Sequence, residues 1–300
     1  MEIKEILTVF GISKSKNIEQ IHANAWNIDD KYILKKSFNQ DELKKSARLG
    51  DLLHSENIAV PEYLKADDGK TCVQMDDSYY VLMKKINGQH FDAFVGDAFK
   101  NGVLLGGLVA NLHMALKNIE EKVECCDADY MADFYNYIMK NLNAKSIVVE
   151  SEIVDYCYNF DLLYKTLPRQ LIHRDLHCAN MLFEDECFAA FLDFDMSQKN
   201  IRLHDICYLG ATLLVDNYRD EARVHIWCDI FLGILKGYNK KISLTENEIC
   251  AIPYTFVFIE MIFAAFFAEI GEIETSKSCI EMVRWLFDNK KFIAELIAKG

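Results

Sequence analysis

Turn-forming residues are scarce in this chain. Its 300 residues include only 3 Pro and 13 Gly. An all-β sandwich or barrel needs a turn signal about every ten residues, so this scarcity argues against such a fold and favours long, uninterrupted helices. The hydrophobic share of 51% and the charged share of 26% are ordinary for a globular protein and exclude a disordered or fibrous one.

Positive charge is also in short supply. The chain has 33 Lys and Arg against 46 Asp and Glu, a formal net charge of −13. A chain this acidic is a poor partner for nucleic acid or for an anionic membrane surface, and we expect neither. The excess acid is uneven, because residues 91–300 carry 20 basic and 32 acidic side chains whereas residues 1–90 carry 13 and 14.

Signals for export, for disulfides and for a membrane span are missing too. The ten cysteines contain no C-x-x-C spacing, and the N-terminus has no basic stretch followed by a long apolar run. We therefore expect reduced thiols, no secretory signal and a cytoplasmic protein. The most apolar run, residues 256–270, is shorter than a bilayer requires and is interrupted by Glu260 and Glu269, which predicts a buried helix.

The hydrophobic pattern divides the chain into two parts. Strand patterns cover residues 20–36 and 71–86, with a helix over 41–54 capped by Asn39 between them. After residue 87 the pattern is mostly helical, over 97–116, 129–143, 151–166, 217–237, 246–270 and 276–298. The predicted fold class is α+β, with a small β-rich lobe containing one main helix (1–86) and a large, mostly helical lobe (87–300).

A polar loop cluster interrupts the helical part. Residues 171–183 read LIHRDLHCANMLF, and FLDFD follows at 191–195. Phosphoryl transfer to a hydroxyl needs a carboxylate that orients and deprotonates the acceptor, and oxygen ligands that hold Mg²⁺ on the nucleotide phosphates. Asp175 is the predicted base, and Asn180 and Asp193 are the predicted metal ligands. A capping Asp could explain the segment 171–183 alone, and an acidic turn could explain 191–195 alone. The two segments together, in this order, favour the catalytic interpretation.

A lysine upstream fits the same chemistry. Lys35 ends the strand pattern Tyr-Ile-Leu-Lys, and such a lysine contacts the α- and β-phosphates of a bound nucleotide. Glu42, at the start of the next helix, is its predicted ion-pair partner. Lys36 competes for the role, but strand alternation places it on the opposite face from Lys35.

Taken together, these motifs resemble the aminoglycoside phosphotransferase/choline kinase family, whose fold is protein-kinase-like and bilobal. The likeness extends over about residues 8–215 and includes Phe10-Gly11-Ile12, Val81–Gly88, Leu112-His113 and Leu203-His204-Asp205. The resemblance implies ATP, or GTP in its place, together with Mg²⁺. It also implies that backbone groups of Lys84 and Ile86 bind adenine.

Other loop residues receive structural roles. Asp205 is interpreted as a brace for the loop around Asp175, and His173 as a second brace through its backbone contacts. Arg174 is interpreted as a structural ion-pair partner, and Cys178 as a small buried side chain.

Two departures from the family pattern narrow the prediction. The segment Glu19–Asn24, where the family often has Gly or Ser over the nucleotide, contains no Gly. Asp195 stands where aminoglycoside kinases more often have Gly, which is more similar to choline, ethanolamine and homoserine-type kinases. The gap of 140 residues between Lys35 and Asp175, and the lack of an A-P-E segment after Asp193, disfavour a protein kinase.

The acceptor is the least determined element. A pocket in the acidic later part of the chain would attract a cationic alcohol. Glu260 and Asp195 are candidate ammonium partners; the aromatic candidates, each of which could equally be core, are Trp227, Tyr254, Phe258 and Trp285.

The predicted function is therefore an ATP-dependent small-molecule kinase. Its acceptor would be the hydroxyl of an amine-bearing or polyol metabolite, similar to choline, ethanolamine or homoserine. The alternatives are an aminoglycoside O-phosphotransferase and a non-catalytic nucleotide-binding protein that kept the fold. The sequence leaves the oligomeric state open.

Overall fold

The computed structural model of the chain describes residues 3–298, which form two compact units. The first unit contains the residues up to 91 with 115–125 and 178–197, and the second contains 92–114, 126–177 and the residues from 198 onward. The sequence predicted a single division after residue 86, whereas the chain passes between the units several times.

The strands, numbered along the chain, are β1 (Ile18–His22), β2 (Ala25–Ile28), β3 (Tyr32–Ser37), β4 (Cys72–Met75), β5 (Ser78–Lys84), β6 (Gln89–His90), β7 (Arg169–Ile172), β8 (Met181–Glu184), β9 (Cys187–Phe191) and β10 (Gln198–Ile201).

Most helices lie within the predicted ranges, but the helices Ile3–Val9 and Leu203–Leu214 were not predicted. The helices are α1 (Ile3–Val9), α2 (Gln40–Ser55), α3 (Ala98–Ile119), α4 (Tyr130–Asp133), α5 (Met139–Ala144), α6 (Ser151–Asn159), α7 (Asp161–Tyr164), α8 (Leu203–Leu214), α9 (Glu221–Asn239), α10 (Glu246–Glu269), α11 (Ile273–Asp288) and α12 (Lys290–Ala298). A π-helical turn, Phe134–Ile138, joins α4 to α5. The single helix predicted over 276–298 is two helices, because Asn289 leaves the helical conformation between them.

The first unit is built on an antiparallel sheet in the order β1-β2-β3-β5-β4. Asp29, Asp30 and Asp76 have positive φ, as tight turns between antiparallel strands require. On one face, Leu34 of β3 and Leu82 of β5 are paired in register and belong to a core that includes α1.

The opposite face of this sheet packs on α2. Leu43 of α2 lies in a cluster with Val81 and Met83 of β5, and Ile33 of β3 packs against that cluster. The predicted cap is confirmed, because the Asn39 side chain accepts hydrogen bonds from two backbone amides of the first turn of α2. Since side chains alternate along a strand, Lys35 shares the α2 face with Ile33, as predicted.

A three-stranded sheet explains why residues 178–197 belong to the first unit. The hairpin β8-β9 pairs with β6 through Gln89↔Phe183 and His90↔Leu182. In the second unit, β7 and β10 form a separate antiparallel pair. These backbone hydrogen bonds tie segments that are distant in sequence, which a reading of local patterns does not reveal.

Two helices of the second unit approach each other unusually closely. Gly102 and Gly106 of α3 face Gly233 and Gly237 of α9, and a Cβ placed on Gly106 would lie only 2.0 Å from the carbonyl oxygen of Ile234. The absence of side chains at these four positions lets the two backbones touch.

The predicted buried apolar helix is confirmed as α10, which packs against α8 and α11. By length and composition, α10 and α3 could each cross a membrane, but their apolar windows are 67% and 56% buried within the protein. Core helices have the same character, so this property is weak support for a membrane span.

Candidate active site

The first unit contains a cavity of about 510 Å³ between its sheet, its hairpin and the segment after β5. Four of the residues predicted from the sequence to bind nucleotide or metal line it: Lys35, Lys84, Ile86 and Asp193. The other lining residues are Ile21, His22, Asn24, Ala25, Ile33, Gly50, Val60, Pro61, Tyr63, Met83, Lys85, Gly88, His90, Leu182, Leu192 and Phe194. Volume and mixed lining are typical of a small-molecule site.

Lys35 is held in this cavity by two carboxylates. Its Nζ lies 2.9 Å from Oδ1 of Asp193 and 2.6 Å from Oδ2 of Asp195. Burial opposes the charged form of Lys35, but the two carboxylates outweigh it and raise the pKa of the ammonium group above its ordinary value. Lys35 therefore stays cationic at neutral pH, as a phosphate-binding lysine must. Lys36 lies instead over the ring of Phe38.

The predicted ion pair between Lys35 and Glu42 is not formed. Glu42 accepts a long hydrogen bond of 3.5 Å from the hydroxyl of Ser37, at the start of α2. One turn further along α2, the Ser46 hydroxyl donates to Oδ1 of Asp195 at 2.6 Å. The correction has a simple cause: the packing of α2 turns Ser46, rather than Glu42, toward the lysine and its carboxylates.

The two predicted metal ligands lie at the same end of one hairpin. Met181, the first residue of β8, pairs with Phe191, the last residue of β9. Asn180 lies just before β8 and Asp193 just after β9, so the two are neighbours at this end. The Leu192 amide donates to the Asn180 carbonyl at 2.9 Å. Asp193 has a φ of 59°, a left-handed conformation that is unfavourable for most non-glycine residues and is held here by the surrounding turn.

The donor set at this hairpin end fits Mg²⁺. Within residues 3–298, no cluster of three or more His, Cys, Asp or Glu side chains is arranged to bind a metal by itself. Mg²⁺ does not need one, since it is commonly held by one or two protein oxygens together with substrate phosphates and water. The Asp193 carboxylate and the Asn180 amide oxygen are ligands of this kind.

The segment after β5 offers backbone groups to the cavity. The Lys84 amide already donates to the Glu62 carbonyl at 2.9 Å, so Lys84 could contribute only its carbonyl to a base. Among the described residues, Ile86 has no backbone hydrogen bond. An acceptor at Lys84 and a donor at Ile86 match the edge of adenine, which carries an amino group beside a ring nitrogen.

In the second unit, Asp175 is positioned by two neighbouring side chains. The Tyr208 hydroxyl of α8 donates to Oδ1 of Asp175 at 2.6 Å, and Nε2 of His177 lies 3.7 Å from Oδ2. Burial alone would raise the pKa of Asp175, but the neighbouring His177 and the hydrogen bond from Tyr208 lower it below its ordinary value. The carboxylate is therefore ionised at neutral pH and can accept a proton or orient a hydroxyl.

The loop that carries Asp175 is fixed by a buried carboxylate. Asp205, fully buried on α8, accepts hydrogen bonds from the backbone amides of His173 at 2.9 Å and Arg174 at 2.8 Å. His113 of α3 donates to the same carboxylate at 3.0 Å from its Nε2. Burial would raise the pKa of the Asp205 carboxyl, but the hydrogen bond from His113 keeps it below its ordinary value. The predicted brace is confirmed, and His173 contributes as predicted, because its Nδ1 accepts from the Asp175 amide.

The aromatic candidates for the acceptor pocket are mostly core residues. Trp227 is completely buried and donates from its ring nitrogen to the Gly210 carbonyl, and Phe258 is completely buried among other rings. Tyr254 stacks between Tyr156 and Phe160. The proposed ammonium role of Asp195 is not supported either, because its carboxylate already holds Lys35 and Ser46.

Sequence reasoning missed two residues of these sites. Tyr208 lies three residues after Asp205 on α8, a spacing that places both on one face of a helix. That spacing was a usable signal for Tyr208. Ser46 had no comparable signal, since a serine in the middle of a helix usually has no site role.

Comparisons with known proteins agree with this chemistry. The sequence model of a family described as "Phosphotransferase enzyme family" matches residues 18–227. A homoserine kinase of Zymomonas mobilis subsp. mobilis is 26% identical over 222 residues, which cover 72% of this chain and 67% of that protein.

Solved structures share the fold at low identity. A microcompartment-associated aminopropanol kinase has a TM-score of 0.72 at 16% identity and covers 94% of each chain. An amicoumacin kinase in complex with AMP-PNP, Ca²⁺ and its antibiotic has a TM-score of 0.66 at 18% identity, covering 98% of this chain and 94% of that one. The GDP complex of an aminoglycoside 2′-phosphotransferase has a TM-score of 0.69 at 16% identity, covering 95% and 97%. These likenesses confirm the predicted kinase-like α+β fold.

Proposed function

The chain belongs to the phosphotransferase enzyme family and is a small-molecule kinase with an alcohol group as acceptor; from this premise we propose that it transfers the γ-phosphate of ATP to the hydroxyl of a small amine-bearing alcohol. The observation that carries the proposal is Asp175, an ionised carboxylate held by Tyr208 on a loop braced by Asp205. A base for phosphoryl transfer needs this fixed position and this protonation state.

Each remaining group has a role in the proposal. Lys35 binds the α- and β-phosphates, since its cationic form is stabilised where it lines the cavity. Asn180 and Asp193 would hold Mg²⁺, which when bound neutralises charge on the phosphates. The Lys84 carbonyl and the Ile86 amide would bind the adenine edge. Before nucleotide binds, the Lys35 ammonium occupies one oxygen of Asp193, and the incoming phosphates would draw it away.

The relatives favour a small amino alcohol over an aminoglycoside. The homoserine kinase is 26% identical over 72% of this chain, and homoserine carries both an amino group and a hydroxyl. The solved structures, of the aminopropanol kinase as well as of the antibiotic kinases, share only the fold at 10–18% identity. The non-catalytic alternative is disfavoured because Lys35, Asp175, Asn180 and Asp193 are all retained.

The test is ADP release, coupled to a spectroscopic readout, with ATP and Mg²⁺. The acceptor panel holds ethanolamine, choline, homoserine, 1-amino-2-propanol, methylthioribose and several aminoglycosides. Asp175→Asn should lower acceptor-dependent turnover by about 10³-fold while ATP binding is kept, since removing a general base typically costs 10²–10⁴-fold. Asp155→Asn is the matched control, because Asp155 is an exposed aspartate of the same unit.

Three results would count against the proposal. Unchanged turnover in Asp175→Asn would remove Asp175 from the role of base. Turnover with aminoglycosides alone would favour the resistance-type activity. Failure of the wild-type chain to bind ATP would overturn the assignment of the cavity.

A further inference from the structure

His204, in the first turn of α8, is a buried histidine with both ring nitrogens engaged. Its Nε2 lies 3.0 Å from the carbonyl oxygen of Arg174, and its Nδ1 is hydrogen-bonded to the hydroxyl of Tyr130. Since a carbonyl oxygen can only accept, Nε2 carries the ring proton and Nδ1 accepts from the Tyr130 hydroxyl. Burial lowers the pKa of His204 to about 4, so the ring is neutral at neutral pH.

The carbonyl that His204 contacts belongs to the peptide bond directly before Asp175. A peptide group is planar, so holding its oxygen and its N–H fixes the direction in which the chain enters Asp175. His204 holds the oxygen at 3.0 Å, and Nδ1 of His173 accepts from the Asp175 amide at 3.3 Å. The proposed base is thus fixed through its backbone as well as through its carboxylate.

Arg174 needs this support because its backbone has an unfavourable conformation. Its φ is 72°, in the left-handed region that disfavours a residue with a Cβ. Such a conformation persists only where the surrounding structure holds it. The Asp205 carboxylate accepts from the N–H of Arg174 at 2.8 Å, and the His204 ring donates to its C=O, so the peptide groups on both sides of its Cα are tied.

His204 also supports the side chain that holds the Asp175 carboxylate. Its ring is stacked on the ring of Tyr208, one turn further along α8, with centroids 5.6 Å apart and an angle of 22° between the planes. The Tyr208 hydroxyl donates to Oδ1 of Asp175 at 2.6 Å. Tyr130, which orients His204, is itself stacked between two other aromatic rings. One imidazole therefore connects a rigid aromatic core to the backbone and to the side chain of the proposed base.

We propose that His204 is a positioning residue for Asp175: its Nε2–H, oriented by the Tyr130 hydroxyl, holds the Arg174–Asp175 peptide so that the carboxylate meets the acceptor hydroxyl. This inference rests on the proposed function and adds a residue to it. A side chain that only filled this space would not need a nitrogen at the Nε2 position. His204 does not transfer protons itself, because the ring is buried and its N–H is committed to a carbonyl.

Two variants of the full chain separate the nitrogen from the ring. His204→Phe keeps an aromatic ring beside Tyr208 and loses the donor, whereas His204→Gln loses the ring and keeps an N–H donor at about the reach of Nε2. The matched control is Ser276→Ala in the same unit, because the buried Ser276 hydroxyl donates to the Ala264 carbonyl at 2.6 Å. The control also removes a buried hydrogen bond to a backbone carbonyl, but on α10 rather than on the Asp175 loop.

The first readout is steady-state kinetics with ATP, Mg²⁺ and the best acceptor of the panel, below the Tm of each variant and corrected for the folded fraction. We expect His204→Phe to lower kcat about 30-fold or more, since misplacing a catalytic group by about 1 Å costs roughly 10²-fold. KM should stay within about threefold, and His204→Gln should recover kcat to within about fivefold of the wild type. Ser276→Ala should lower Tm and keep the wild-type kcat.

The second readout is hydrogen exchange of the segment 171–177, measured by mass spectrometry, which does not depend on turnover. The amides of His173, Arg174 and Asp175 are hydrogen-bonded in the wild type. Their exchange should be about tenfold faster or more in His204→Phe and close to wild type in His204→Gln and in Ser276→Ala. If His204→Phe does not fold, Tyr130→Phe is the milder variant; it should lower kcat about threefold and speed the same exchange.

The outcomes separate the two claims. Faster exchange in His204→Phe but not in His204→Gln, in a chain that phosphorylates no acceptor, would support the positioning role and refute the kinase proposal. Phosphorylation with the same kcat in His204→Phe as in the wild type would refute the positioning role and leave the kinase in place. Equal losses in the Phe and Gln variants would also overturn the inference, because the donor would then be irrelevant, as would wild-type kcat and exchange in Tyr130→Phe.

Discussion

Replacing Glu260 by Gln should remove a pH-dependent penalty on the stability of the folded protein. Burial raises the pKa of the folded Glu260 carboxyl to about 8, against an ordinary value of 4.5. Between these two pH values the folded chain holds a proton that the unfolded chain releases, so the wild-type free energy of unfolding falls as pH rises from about 4.5 to about 8. Glutamine does not titrate and does not contribute this slope.

The magnitude follows from the interval between the two pKa values. At about 1.36 kcal/mol per unit, the shift from 4.5 to about 8 costs the wild type roughly 5 kcal/mol once the pH exceeds 8. For a chain of this size that corresponds to a Tm difference of about 10 °C. The titratable groups near Glu260 do not add to this pH dependence. Burial raises the pKa of Tyr208, Tyr218 and Cys279, so all three stay neutral over the same pH range.

The assay is thermal unfolding of wild type and Glu260→Gln at intervals from about pH 5 to about pH 9. The Tm difference between the two should be small and constant at low pH and should grow in favour of the variant up to about pH 8. Glu269→Gln, a control at an exposed position of the same helix, should show no such trend. A difference that stays constant at every pH would refute the reasoning, because it would mean that Glu260 is paired or solvated in the folded protein.

Other predictions concern the base, its brace and the helix crossing. Asp205→Asn should destabilise the protein by about 3–5 kcal/mol in thermal or chemical unfolding, since a buried charge that accepts two backbone amides is lost. Tyr208→Phe should lower kcat/KM about tenfold and move the acidic limb of its pH profile to higher pH, because the Tyr208 hydrogen bond lowers the pKa of Asp175; an unmoved limb would mean that the bond does not tune the base. Gly106→Ala should cost about 3 kcal/mol or more in unfolding free energy, since its Cβ would meet backbone at 2.0 Å. Gly107→Ala, with nothing within 4 Å, should instead gain up to about 1 kcal/mol; equal effects of the two would contradict the close crossing.

Local patterns were sufficient for much of the fold and for four of the residues that line the candidate cavity. Alternation along one strand distinguished Lys35 from Lys36, and the cap at Asn39 marked the start of α2. The motif in residues 171–183 and 191–195 was also recognised locally, and the structure brings its Asn180 and Asp193 to one end of the β8-β9 hairpin. These inferences held because each depends on residues that are near in sequence.

Contacts between distant segments were the ones that the patterns missed. Glu42 was the natural partner for Lys35 by position, yet the rotation of α2 about its axis brings Ser46 and Asp195 together and leaves Glu42 at Ser37. Helix rotation is set by the packing of a whole apolar face, so no single spacing reveals it.

The sequence by itself determined the class of chemistry, because phosphoryl transfer to an alcohol requires a base, metal ligands and a phosphate-binding lysine in a fixed order, and Lys35, Asp175, Asn180 and Asp193 stand in that order. Only the tertiary structure decided which carboxylates are already paired and which is not. Asp195 forms an ion pair with Lys35, whereas the buried Glu260 has no hydrogen bond or ion pair with any residue of the described range 3–298. Burial and pairing arise from the packing of segments far apart in the chain, so local sequence patterns do not reveal them.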